Sequence, residues 1–262
     1  MAAHCSKLKG HSSINVMKNK TGAPDNLDKN DIKIETIALL SDIADLSTTL
    51  YAERKHSVLI LLQGIDGSGK DGITKDVFGA ISASFLRYHA FKKPSDEEMA
   101  HDFLWRAHNF VPQKGEITIF NRSYYEDILI QYVHGWIDDK RRDVRMEAIN
   151  AFEKLLDADN NTTVLKFFLN IGYEKQEEKL TERVNVRKKQ WKHSDGDWEE
   201  RKLWDKYQTA YQYILDNSKI KWTTVPCDND WYRNYVVAKE LHKTLTDLNP
   251  KYPELVSKIF KK

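Results

Sequence analysis

SVLILLQGIDGSGKDG, Ser57 to Gly72, decides how the rest of the chain is read. The apolar run Val58 to Leu62 leads into a glycine-rich turn that ends in Gly69-Lys70. A continuous apolar run of this length suits a strand in a parallel sheet covered on both faces. Gly64 and Gly69-Lys70 have the spacing of a phosphate-binding loop, Gly-four residues-Gly-Lys. Backbone N–H groups in such a turn point at an anion, the following helix adds the positive end of its dipole, and Lys70 adds a mobile charge. The alternative is a plain Gly-rich turn between strand and helix. The apolar run, the full spacing and the placement of Lys70 together favour phosphate. The usual loop continues with Ser or Thr, whose hydroxyl ligates magnesium; here that position is Asp71.

The chain of 262 residues is long enough for one α/β domain with an elaboration, or for two small domains. With 40% hydrophobic and 31% charged residues it reads as a soluble globular protein. No apolar stretch approaches the ~20 residues that span a bilayer, so no membrane association is expected. Residues 1–26 lack a signal-peptide core and read as a polar, poorly ordered, flexible tail, with a single domain over 27–262. Cys5 and Cys227 are far apart, which argues against a disulfide framework and for a reducing cytoplasm. A net charge of +2 gives no global pull toward nucleic acid. Basic residues are clustered locally at Lys92-Lys93, Lys140 to Arg142, and Arg183 to Lys192. Charge runs are most often solvated faces.

Strand and helix signals alternate. Helix is expected over Ile32 to Arg54, Lys70 to about Leu86, Arg122 to Val133, Arg142 to Leu156, Tyr173 to Gln190, Trp198 to Asp216 and Trp231 to Leu248. Strand is expected at Val58 to Gln63, Tyr88 to Phe91, Ile117 to Phe120, Thr162 to Leu169 and Trp222 to Val225. Ser95 with Glu98 three residues on has the form of a capping box, opening a helix that carries His101 to His108. Strands separated by helices imply an α/β fold with a mostly parallel sheet and helices on both faces. The polar span from about 173 to 216, broken at Ser194-Asp195-Gly196, is the piece set apart.

Asp66 and Asp71 flank Lys70 inside the loop. Carboxylates beside a polyanion site repel it unless a cation lies between, and magnesium held by carboxylate and phosphate oxygens resolves the conflict. For Asp71 a helix-dipole role is the alternative. ITIFNRSYYED, Ile117 to Asp127, puts Asn121 and Arg122 at the carboxyl end of a strand, the edge where open α/β sheets bind ligands. Arg122 can clamp a phosphate with its planar fork. A helix start with Ser123 as cap and Glu126 and Asp127 in the first turn is the competing reading. Arg183, Arg187, Lys188, Lys189 and Lys192 form a basic face. Alone it is a solvated surface; opposite a phosphate loop it becomes a lid that neutralises phosphoryl groups. The nine histidines show no zinc spacing, and the seven Trp and twelve Tyr read as core and rim residues.

Taken in order, GIDGSGKDG, FKKPS (Phe91 to Ser95), HDFLWR (His101 to Arg106), IFNRSYYED (Ile119 to Asp127), TVLKFFL (Thr163 to Leu169), ERVNVRKKQWKHSDGDWEER (Glu182 to Arg201) and LWDKYQTAY (Leu203 to Tyr211) resemble the polyphosphate kinase type 2 family. The resemblance covers nearly everything from Ile32 onward. It implies a three-layer P-loop kinase-like fold with a helical lid at about 173–216. It also implies reversible, magnesium-dependent phosphoryl transfer between inorganic polyphosphate and AMP or ADP. Manganese is the alternative ion, guanine nucleotides are included as substrates, and a dimer or tetramer is expected. Carried over, catalytic roles fall to Asp66, Lys70, Arg122 and Arg183. Phosphate and nucleotide contacts fall to Gly64, Gly67, Ser68, Gly69, Lys70, Asp71, Gly72, Lys92, Asn121, Arg122, Arg183 and Lys189. Asp66 is implied to hold metal, with Asp71, Glu126 and Asp127 as further candidate carboxylates. The chain departs from the pattern at Gly67-Ser68, where small Ala residues are common, and at NVRKKQW, where an Asp-Pro run is frequent.

Two rivals remain at this level. DGSGK also occurs in thymidylate-kinase-like loops of ATP-dependent kinases, but those continue with Ser or Thr. A nucleotide-binding switch of the GTPase kind needs an Asn-Lys-x-Asp motif, which the sequence lacks.

Overall fold

Each residue of β1, Ser57–Gln63, is buried, and the strand lies at the middle of the sheet. The computed structural model describes Val16, residues 19–257 and residues 259–260. Before β1 comes the long helix α1 (Lys29–Glu53); after it come α2 (Lys70–Asp76) and β2 (Leu86–Ala90). Two short helices, α3 (Asp96–Ala100) and α4 (Trp105–His108), lead to β3 (Ile117–Asn121). Then follow α5 (Glu126–Val133), α6 (Asp139–Asn160), β4 (Thr162–Asn170), α7 (Tyr173–Asn185), α8 (Asp195–Arg201), α9 (Trp204–Asn217), β5 (Trp222–Pro226) and α10 (Asp230–Leu248). The strands lie in the order β2-β3-β1-β4-β5, and neighbouring pairs run parallel.

Period-two alternation along β1 builds two cores. Leu59 and Leu61 face one, shared with Phe120, Ile128, Phe152 and Tyr211. Val58, Ile60 and Leu62 face the other, shared with Ile43, Ile73, Phe167 and Leu241. Burial on both faces is why the strand reads as an unbroken apolar run. The result is a three-layer α/β fold with helices on both faces of a parallel sheet. Among the described residues no helix is long and apolar enough to cross a membrane.

Several elements are shorter than their sequence patterns predict. The helix expected to reach Leu86 stops at Asp76 and gives way to a single tight turn, Phe78–Ala80. Val77, Phe78, Ile81 and Phe85 all turn into the core there, which a continuous helix does not allow. The capping box forms as expected, with Glu98 N–H donating to Ser95 Oγ and Ser95 N–H to Glu98 Oε2. The helix it opens ends at Ala100, so His101 and His108 do not share a helix. Asp102 restarts the chain by accepting from Leu104 N–H. Instead, His101 stacks on Trp105 and His108 meets Phe152 edge-on. The helix expected from Arg122 begins only at Glu126. Ser123 is not its cap, because its hydroxyl closes a turn by accepting from Tyr125 N–H.

The span 173–216 divides. α7 ends at Asn185, a tight turn covers Arg187–Lys192, and α8 follows. α9 instead sinks Tyr207, Tyr211, Ile214 and Leu215 into the core with Phe168 and Trp222. Of the expected tail 1–26, residues 1–15, 17 and 18 lie outside the described residues. The rest is held to the domain: Val16 is buried, Thr21 Oγ1 donates to Asp228 Oδ2 at 2.6 Å, and Ala23 N–H donates to Asn229 Oδ1 at 2.9 Å.

Candidate active site

β1, β3 and β4 run parallel, so their carboxyl ends deliver three connections to one edge of the sheet: the loop 64–69, Asn121-Arg122, and the start of α7. The loop depends on glycine at Gly67 and Gly69, whose φ angles of 88° and 95° lie in the left-handed region. Lys70 is buried at the first position of α2 and folds back on the loop, donating to Gly64 O at 2.6 Å and Ile65 O at 3.2 Å. Burial, with Arg122 nearby, pushes its ammonium down to about 8, although Asp66 opposes the shift. Ser68 Oγ is buried in the loop with no hydrogen-bond partner among the described residues, a group suited to meeting a ligand oxygen.

Asp66 and Arg122 face each other across the edge. Arg122 Nη2 donates to both Asp66 oxygens, at 2.7 and 3.0 Å, and Nη1 to Glu126 Oε2 at 3.3 Å. Burial works against the charge on Asp66, yet Lys70 and Arg122 hold its carboxyl below the usual range. Arg122 is itself in the left-handed region at φ 61°, anchored by its N–H to Leu62 O at 2.9 Å. That backbone kink turns the side chain toward the loop instead of leaving it on a helix.

Asn121 Nδ2 donates to Tyr88 OH at 2.7 Å and to Asp71 Oδ1 at 3.3 Å. Asp71 also accepts from Lys192 at 2.6 Å, which is the main cause of its lowered pKa. Arg183 pairs with Asp197, and Lys189 with Glu182. These basic side chains stand over the loop with carboxylates as their present partners. Arg183, Lys189 and Lys192, with Lys179 and Arg233, close a groove of about 300 Å³ against Gly67 to Gly72.

A second cavity, of about 720 Å³, opens on the other side of Arg122. Phe91, Phe103, His101 and Trp136 supply rings, and Lys92, Lys93, Arg106 and Arg145 supply cations. Asp127 belongs here, away from the loop: Arg106 donates to it at 2.8 Å, and burial raises its carboxyl pKa. Lys92 offers its carbonyl to Arg106 Nη1 at 3.0 Å.

Among the described residues no group of three or more His, Cys, Asp or Glu could hold a metal ion. Magnesium at phosphate sites needs less, taking one or two carboxylates and completing its shell with phosphate oxygens and water. Asp66 and Asp71, both on the rim of the smaller groove, fit that requirement. Glu126 and Asp127 line the larger cavity instead, held by Gln63 and Arg122 and by Arg106.

The loop, Asn121, Arg122, Arg183 and Lys189 are thus brought to one place, while Lys92 and Asp127 line the neighbouring cavity. Sequence reasoning missed Tyr88, Arg106 and Arg233. The signal for Arg233 was a charged first turn directly after the last strand, the edge on which α/β ligands sit.

A model of the family Polyphosphate kinase 2 (PPK2) matches residues 26–253. The AMP/ADP-polyphosphate phosphotransferase of Meiothermus ruber is 41% identical over 225 residues, covering 84% of this chain and 84% of that protein. The ADP-polyphosphate phosphotransferase of Rhodopseudomonas palustris is 35% identical over 227 residues, covering 81% and 78%. The crystal structure of polyphosphate kinase 2 from Arthrobacter aurescens superposes with a TM-score of 0.90 at 35% identity, covering 95% of this chain and 90% of that one.

Proposed function

This chain belongs to the polyphosphate kinase 2 family, and on that premise we propose that it moves a phosphoryl group reversibly between inorganic polyphosphate and AMP or ADP. The observation that carries the reading is the Asp66–Arg122 pair standing between two unlike cavities. The groove between loop and lid lacks rings and sets six cations beside five carboxylates, which suits a bare polyanion once the cations exchange those partners for phosphate. The larger cavity joins rings to cations, which suits a base with its phosphates. A relative whose name includes both AMP and ADP as acceptors supports both here.

The residues divide the work as follows. Gly67, Ser68, Gly69 and Lys70 hold the phosphate nearest the break. Arg122 has two partners to exchange, Asp66 and Glu126, and its fork can follow the group in transit. Arg183, Lys189 and Lys192 release their carboxylates and close on the chain of phosphates. Repulsion between two polyanions is the main barrier, and these charges are preorganised against it. The acceptor phosphate is ionised near pH 7, with its second pKa at about 6, so no strong base is required. The family resemblance implies magnesium; Asp66 and Asp71 would hold the ion, which when bound would neutralise phosphate oxygens. The lid is α7, the turn after it and α8. Guanine nucleotides, manganese in place of magnesium and a dimeric or tetrameric assembly in the cytoplasm complete this reading and rest on the family resemblance.

The test is direct. The protein is mixed with polyphosphate, magnesium and either ADP or AMP, and ATP or ADP formation is followed. Product from both acceptors is expected; product from neither overturns the proposal.

A further inference from the structure

Arg233 lies in the first turns of α10, far from any phosphate motif, yet its guanidinium is buried against the loop. A Cβ on Gly69 would stand 2.1 Å from Arg233 Nη1, and one on Gly72 would stand 2.9 Å from Nη2. Both distances are below ordinary contact, so the absence of side chains at these glycines is what admits the guanidinium.

Its remaining partners fix it in place. Nη1 donates to Asp230 Oδ1 at 2.6 Å, and Nε and Nη2 donate to Asn234 Oδ1 at 3.2 and 2.9 Å. Asn234 in turn donates to Asp76 Oδ2 at the far end of α2. Asp230 Oδ2 accepts from Lys179 Nζ at 3.2 Å, and Lys179 belongs to α7. One guanidinium therefore lies against the loop and the first turn of α2, reaches the far end of that helix through Asn234, and reaches α7 through a shared carboxylate. Three of its five N–H groups are used in this way, leaving one on each terminal nitrogen.

We propose that Arg233 is a positioning residue for the phosphate loop, holding it in the form that accepts polyphosphate and tying that form to α7 through Asp230 and Lys179. This inference rests on reading the loop groove as the polyphosphate site. A residue that only anchored α10 would affect stability and leave both substrates' KM alone.

The experiment compares the native chain with Arg233→Ala, Arg233→Lys, Gly72→Ala and the Gly72→Ala/Arg233→Ala pair. Polyphosphate and ADP are varied separately, and the thermal midpoint is recorded. Arg233→Ala is expected to raise KM for polyphosphate about tenfold or more, the scale of a charged hydrogen bond. KM for ADP should stay within about twofold, since the larger cavity does not include this residue. Arg233→Lys should recover only part, because an ammonium cannot bridge Asp230, Asn234 and both glycines. Gly72→Ala should raise KM for polyphosphate in the native background and add nothing once Arg233 is gone. A lower thermal midpoint with both KM values unchanged overturns the inference, and so do Gly72→Ala and Arg233→Ala effects that multiply. If Arg233→Ala does not fold, native KM for polyphosphate in both Arg233→Lys and Gly72→Ala overturns it. Native protein without polyphosphate turnover would overturn the functional reading and this inference together; native turnover with unshifted variants overturns the inference alone.

Discussion

Lys70 is held in a conflict between stability and function. Burial, aided by Arg122, has pushed its ammonium from 10.5 down to about 8. Above about 8 the folded chain sheds a proton that the unfolded chain keeps to 10.5, so the unfolded state binds more protons there. Stability then rises with pH across that window, while the charge that the proposed phosphate contact uses is lost. A shift of this size corresponds to roughly 3 kcal/mol held against folding while Lys70 is charged. Lys70→Met should therefore unfold at higher urea than the native chain at pH 7, and the advantage should shrink toward pH 10. Activity should move the opposite way. Lys70→Ala should lose turnover in both directions, and near-native turnover in that variant would sink the mechanism. In the native enzyme KM for polyphosphate should climb as pH rises past about 8. Lys70→Arg, permanently charged, should lack that limb whatever its absolute rate.

At the scale of elements, α8 is tied to the loop by a relay through Arg201. Its Nη1 donates to Tyr173 O and to Gln176 Oε1, each at 2.8 Å, and its guanidinium lies 3.5 Å from the Tyr173 ring centroid. Gln176 Nε2 then donates to Asp66 O at 2.9 Å. α8 thus positions the loop aspartate through α7. Arg201→Ala should cut kcat by about tenfold or more and destabilise the fold by about 2 kcal/mol, since it strands buried acceptors. Faster proteolysis between 186 and 194, against native Tm and kcat, is the measurement; native values on all three would dissociate α8 from the loop. How legible such elements were depends on where their determinants lie. β1 was readable because both faces are buried, and the Ser95–Glu98 box because its partners sit three residues apart. The helix expected at Arg122 was not, because its sequence carries a helical pattern while a left-handed backbone at φ 61° serves the pairing with Asp66, from another strand's loop. The loop and the basic run beside it were legible as local spacing. Arg233 and the Arg201 relay were not, because each joins residues far apart in the chain.

Across the whole molecule, the layers meet around a charge buried in the core. Lys166 is fully buried on β4, beside Leu61 of β1, and donates to Glu153 Oε2 at 2.7 Å and Tyr125 OH at 2.8 Å. Glu153, on α6, also accepts from Tyr124 and Tyr125, which directly follow the Arg122–Ser123 kink. The network therefore joins sheet, α6 and the segment that presents Arg122. Removing one partner should be far worse than removing both, since it leaves an uncompensated charge in the interior. Glu153→Gln should cost about 3–5 kcal/mol in urea unfolding, while Glu153→Leu with Lys166→Met should come much nearer the native value. The sign of the pH dependence separates this cause from lost packing. Burial already lowers the Lys166 pKa, and without Glu153 its main counter-charge is gone, so deprotonation becomes the relief. The deficit of Glu153→Gln should accordingly narrow as pH rises from 7 to 10. A deficit that stays constant over that range would assign the loss to packing of the tyrosines and not to the stranded charge.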